Sequence, residues 1–317
     1  MDLRAIAGGY ALGRALQLDH PELDRSAVLC SKLIAVLWLA TGQVVYLRGE
    51  PVPFFGLGVP LIEASLFPQL MIVLQLLAIL TIVCSRFTRS GCVLLASTVV
   101  LLSLSDQPLF SNNRLFCAAI LGMLALGGEA LARLQLAVVY AAAGIDKWID
   151  ADWRDGTFLR SFSQGLCRVG ELWSPGWDAG AQLPLACALS AQLPVHPWLA
   201  VACSALVICV ELSIALGYAL GSTATVPLVV CFHGLLFVVT GSSFGMFFYA
   251  GLAAALLTLR LERMPAPLDR GGFYAALAVL LAGPWVRPWL VLAVLTALAV
   301  GVYLRGAQPA QVEEKRG

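Results

Sequence analysis

The chain has 317 residues, 60% hydrophobic and 12% charged, with a net charge of +1 and a mean hydropathy of +0.85. Soluble domains average about 45–50% apolar and about 25% charged residues, so this composition excludes an ordinary soluble domain and predicts a polytopic membrane protein. The near-neutral charge gives no ground for a nucleic-acid partner or a general polyanion-binding role.

In chain order, residues 1–26 carry Arg4, Arg14 and Arg25 among small apolar residues. They are expected to form a cytoplasmic amphipathic lead-in on the membrane surface. The apolar patch 5–12 is too short and glycine-rich for a cleavable signal peptide. A first span is predicted over 27–47, ended by the Pro/Gly-rich GEPVPFFGLGVP. Spans over 69–85 and 91–105 follow, with Arg86 and Arg89 between them. The polar DQPLFSNNR is read as a turn, with Asn112 and Asn113 as turn residues. The fourth span, 115–127, is short for a bilayer that needs about 20 residues. The fifth is 134–149.

Residues 151–196 form the longest non-spanning segment, and their tryptophan density suits an interfacial cap. Spans over 197–220, 225–240 and 244–259 come next. The stretch 273–304, interrupted by GPWVRPW, reads as two spans or one broken helix, and 305–317 is a cytoplasmic tail. The fold class expected is all-α, one transmembrane helical bundle of nine or ten spans. Roughly two-thirds of the 20 lysines and arginines fall on the side of the N-terminus in this layout. That places both termini inside and the 151–196 cap outside.

Nine cysteines occur without a C-x-x-C pair. They read as small hydrophobes in a packed bundle, and their odd number argues against a disulfide scaffold. The three histidines lack metal-ligand spacing, so no metal is expected.

The segment around which the chain is organised is YAAAGIDKWIDADW, residues 140–153. Of the three lysines, Lys32 and Lys315 are read as lying in polar flanks, leaving Lys147 as the one embedded in an apolar segment. Tyr140, Gly144 and Lys147 recur at i, i+4 and i+7 and so share one helix face. Gly144 would let a neighbouring helix or a flat ligand approach the backbone beside the amine. Lys147 has two readings: a general base or cation for a substrate anion, or an interfacial lysine that snorkels and pairs with Asp150. Asp146, Asp150 and Asp152 either steer that amine or decorate the aqueous helix end, and Trp153, Asp155 and Gly156 suggest a chain reversal. Glu211 is a carboxylate inside an apolar run, so it is expected to face the bundle and pair, with an arginine or histidine as partner, or to be protonated, in either a structural or a catalytic role. His233 is the histidine deep in a span, read as an interhelical hydrogen-bonder or as a catalytic group.

The segment LQLAVVYAAAGIDKWIDADWRDGTFL resembles the signature of the horizontally transferred transmembrane (HTTM) domain. That family includes the membrane part of vitamin K-dependent gamma-carboxylase and the bacterial sporulation-delaying protein B group. The matching positions are Tyr140, Ala143, Gly144, Lys147, Trp153 and Gly156. The Glu211 helix and the run from His233 through Gly241 to Phe247 are similar to later family segments. The resemblance implies that Lys147 is a base that deprotonates a reduced quinone (vitamin K-like), and it carries no firm role to any other residue. Beyond it, Glu211 and His233 are read as catalytic groups that tune the cavity, and Tyr140, Gly144 and Trp153 as cofactor contacts.

The chain departs from the carboxylase at Asp146, where the carboxylase has a second lysine. It also departs at Leu236, and by one extra residue between Lys147 and Trp153. No counterpart of the carboxylase's large lumenal domain is expected. In size the chain looks more like the sporulation-delaying protein B group, which acts in maturing a secreted toxic peptide. The expected partners are the bilayer and a secreted peptide or small protein, with no nucleic acid. A non-enzymatic immunity or export factor is the alternative from a different class.

Overall fold

The computed structural model describes residues 23–40, 43–44, 67–84, 87–105, 112–169, 187–188, 191–193, 196–240, 245–259 and most of 296–304. Residues 1–22 of the expected lead-in 1–26, the loop after the first helix, the ELWSPGW segment, the C-terminal tail and most of the 273–304 stretch lie outside these residues. Arg25 and Ser26, also read as lead-in, open the first helix. The described elements are all helical: α1 (Arg25–Ala40), α2 (Phe67–Val83), α3 (Thr88–Ser105), α4 (Asn112–Ile149), α5 (Ala151–Arg154), α6 (Thr157–Val169), α7 (Pro197–Leu220), α8 (Thr225–Thr240) and α9 (Gly245–Ala255), which runs into a 3-10 turn at Leu256–Thr258.

Two of these, α4 and α7, are long and apolar enough to cross a membrane. Gln69–Val83, Thr88–Leu104, Thr225–Leu236 and Phe247–Thr258 are shorter apolar helices. Helix α9 is buried at nearly every described position, while the hydrophobicity of α2, α7 and α8 runs round the helix rather than along one stripe. Outward-facing residues bear this out: Leu70, Val73 and Leu80 on α2, Val138 on α4, and Leu206 and Leu216 on α7 are each more than half exposed.

The fourth and fifth predicted spans are joined without a loop. A straight helix of 38 residues would be about 57 Å long, roughly twice the thickness of a bilayer core. At Gly128 the backbone adopts φ 66°, ψ −156° and breaks the helix there. Residues 129–133, read from sequence as a linker, are helical, and Arg133 reaches back one turn to Glu129 (3.4 Å). Ser26 at the start of α1 donates to the same carboxylate (2.7 Å), fixing the break against the first helix. At the far end of α1, Arg114 donates to Gln43 (3.0 Å). Asn112 and Asn113 open α4 rather than forming a free turn.

Lys32 corrects the sequence reading. Helix α1 begins at Arg25, so Lys32 lies two turns in and is 3% exposed, inside the apolar segment rather than flanking it. The cysteines need a correction too. Cys30, Cys84, Cys92, Cys117, Cys203, Cys209 and Cys231 are free, but Cys187 is disulfide-bonded. An odd total does not preclude a bridge; of the free thiols, Cys30, Cys92 and Cys117 are buried as small hydrophobes, whereas Cys84, Cys209 and Cys231 are exposed.

The cap is built from α5, a two-residue turn and the amphipathic α6. Asp150 accepts the Asp152 N–H (2.9 Å) and caps α5. Asp155 accepts the Thr157 N–H (2.8 Å), which holds its carboxyl below the usual carboxylate range. Gly156 turns the chain at φ 76°, and a side chain there would run into Ala200 near the start of α7. The predicted chain reversal is therefore a clamp of cap against α7. Gly156→Ala combines a left-handed backbone that disfavours a Cβ with a collision against Ala200. The expected loss is about 2–4 kcal/mol, measured as a lowered unfolding temperature of the detergent-solubilised protein.

Candidate functional site

The C-terminal arm of α4 packs along α7, and the two helices present matched residues at matched heights. Moving seven residues back from Lys147 on α4 reaches Tyr140. Moving seven forward from Glu211 on α7 reaches Tyr218. Lys147 meets Glu211, and Tyr140 stacks on Tyr218 with ring centroids 5.9 Å apart. Between these layers Gly144 faces Leu212, whose side chain occupies the space a Cβ would need. The shared face read from sequence is present, and the neighbour that glycine admits is a helix.

Lys147 donates to both carboxylate oxygens of Glu211, at 2.9 and 2.8 Å, and to the Ala143 carbonyl at 3.3 Å. The two side chains are 20% and 10% exposed. The Trp153 ring from α5 lies 5.1 Å from the amine, within range of a cation–π contact. Trp153 is itself stacked on Phe158 (4.3 Å), and Phe158 on Phe162 (5.5 Å), so α6 holds the indole over the amine. The expected pairing of Lys147 with Asp150 is not made. Asp150 is spent on the α5 cap, and Asp146, Asp150 and Asp152 are exposed. Glu211 likewise takes a lysine where an arginine or histidine was expected. The reason is register: the end of α4 runs beside the middle of α7, which brings the amine level with the carboxylate.

His233 belongs to a second buried layer. Its Nε2 and the Tyr140 hydroxyl are 2.6 Å apart, making the interhelical hydrogen bond that one sequence reading anticipated, now with a partner. Phe232, Phe247 and Phe248 surround the ring at 5.4–5.6 Å between centroids. Gly251 on α9 lies against the imidazole so closely that any Cβ would strike it. His233 therefore contacts Tyr140, while Lys147 contacts Glu211, and Tyr140 lies two helical turns from Lys147. Reasoning from sequence missed Tyr218 and Gly251. The mirrored seven-residue spacings, Tyr140 to Lys147 and Glu211 to Tyr218, were the available signal for the first.

Among the described residues, no group of three or more His, Cys, Asp or Glu side chains is placed to hold a metal ion. Searches against family models, curated proteins and solved structures return no match to this chain.

Chemically, the Lys147–Glu211 pair sets a proton donor and a proton acceptor in direct contact inside an apolar wall. Removing one member strands the other. Lys147→Ala is expected to cost about 3 kcal/mol, the lower end for a broken buried pair. Lys147→Met combined with Glu211→Leu should recover most of that loss. A double-mutant cycle on unfolding in detergent checks this, and additive losses would show that the two side chains are not coupled.

Proposed function

We propose that this chain is an HTTM-like integral membrane protein of nine or ten spans, acting as an enzyme with Lys147 as its base. The substrate would be a lipophilic quinol, or a peptide delivered through the membrane for maturation. The observation that carries the reading is the Lys147–Glu211 contact at 2.8 Å, with both side chains largely withdrawn from solvent and an aromatic wall at 5.1 Å. An ionisable pair in an apolar segment is costly to keep and is commonly retained where ions, protons or ligands are handled. Its position at the end of α4, under a cap, suits a ligand that arrives from the bilayer interface.

Several features support the membrane and its sidedness. The outward leucines and valines of α2, α4 and α7 need a hydrocarbon environment. Trp148 and Trp198, both more than 60% exposed, sit at the capped end, where interfacial tryptophans concentrate. The start of α1 and the Glu129–Arg133 turn meet at one level, where the basic residues of the inner side were expected. The Cys187 disulfide in the 151–196 segment fits an oxidising, extracytoplasmic compartment such as that outside a bacterial inner membrane.

A non-enzymatic role as a membrane partner, with Lys147 an interhelical tie, is favoured by one observation: the amine already has three acceptor contacts. Arginine at 147 separates the two readings. It can pair with Glu211 but cannot give up its proton.

The decisive measurement is aerobic oxidation of menadiol by the purified protein in nanodiscs. Wild type should accelerate it, with Lys147→Ala and Lys147→Arg each reduced roughly a hundredfold or more. Wild-type rates in the arginine variant would refute the base role. For sidedness, alkylation and mass analysis of the membrane-extracted protein should reveal extra reactive thiols only after reduction. Cys187→Ser should remove that difference, and its persistence would place the bridge elsewhere.

A further inference from the structure

We propose that Glu211 is the proton acceptor for Lys147, so that the pair acts as one neutral proton-transfer unit on a weakly acidic hydroxyl of an apolar ligand; this rests on the base reading above. The geometry points to it directly. Two of the three ammonium hydrogens are directed at the Glu211 oxygens, at 2.8 and 2.9 Å, and a third contact goes to the Ala143 carbonyl at 3.3 Å. Trp153 covers the amine at 5.1 Å. The carboxylate is the strong acceptor in contact with Nζ. The backbone carbonyl cannot keep a proton, and the indole presents a π-face.

The step balances without an oxidant or reductant. An N–H bond of the ammonium breaks and a carboxyl O–H forms on Glu211, leaving a neutral amine. The amine lone pair then takes the ligand's hydroxyl proton, so the ligand O–H breaks, a new N–H forms, and an oxyanion is left beside the ammonium. Before the step the site holds ammonium, carboxylate and neutral ligand. Afterwards it holds ammonium, carboxylic acid and oxyanion. The net charge is zero at both ends. A lysine that lost its proton to bulk water would instead leave Glu211 as an unbalanced negative charge in apolar surroundings, and the oxyanion would then form against it. Charge conservation in a low-dielectric site therefore favours the internal acceptor.

The roles are also asymmetric. Glutamine at 211 can still accept a hydrogen bond from the ammonium but cannot take up the proton. A merely structural carboxylate would be replaced by glutamine with its geometry kept.

The test is anaerobic binding of menadiol to the full-length protein in nanodiscs, followed by ultraviolet absorbance of the quinol anion and by infrared difference spectroscopy. Wild type should form the anion together with a new protonated-carboxylic-acid C=O band. Glu211→Gln should show roughly a hundredfold less anion at equal ligand and no such band. Glu211→Asp should restore part of both. Should Glu211→Gln form as much anion as wild type, or should wild type form the anion without the acid band, the relay is overturned while the base role of Lys147 stands. If wild type forms no anion, both fall together. If the glutamine variant does not fold, the wild-type and aspartate infrared spectra still decide.

Discussion

One ion pair organises what can be said about this molecule. Lys147 and Glu211 come from helices that are apolar over most of their length, and each would be intolerable there without the other. Their contact sets the register of α4 against α7, and through it the height of every other paired position along that seam. Gly144 allows the close approach that brings amine and carboxylate to 2.8 Å, because Leu212 fills the place of its missing side chain. The seven-residue steps then carry the register down to Tyr140 and Tyr218. Specificity of helix pairing is a recognised use of a polar contact in an apolar interface, where packing alone discriminates poorly between registers.

The same pair ties α4 and α7 to the cap. Trp153 reaches the amine from α5, and its stacking on Phe158 and Phe162 locks α6 into place over it. Gly156 fastens the turn between them to the start of α7. The roof over the amine and the helix that carries the carboxylate are thus one mechanical unit.

A good deal of this was legible in the residues. Helices α7 and α8 begin and end where the apolar runs do, because Pro197, Gly221 and the polar residues around Ser222 punctuate them clearly. The Tyr140–Gly144–Lys147 face was visible from helical spacing alone. Partner identities were not, because they depend on interhelical register, which local pattern does not encode. Glu211 was therefore expected to meet an arginine or histidine, and Lys147 was matched with Asp150 on its own helix face rather than with an acid on another helix. Lys32 was misplaced because serines and an arginine around it resemble a flank, yet the helix begins seven residues earlier. The break at Gly128 was legible in place, since the fourth span was ended at Gly127, but not in form, because helix resumes at once where a linker was expected. The disulfide at Cys187 was hidden by the surplus of cysteines, seven of which are free among the described residues.

The contact of His233 with Gly251 has a consequence for how such a chain can vary over time. The imidazole occupies the volume that any larger residue at 251 would claim, and its hydrogen bond to Tyr140 keeps it from swinging aside. Position 251 cannot drift while the histidine stays. A lineage that lost the histidine would be released to gain a side chain on α9, whereas one that kept it would remain bound to glycine, so the two sites should be inherited as a single character.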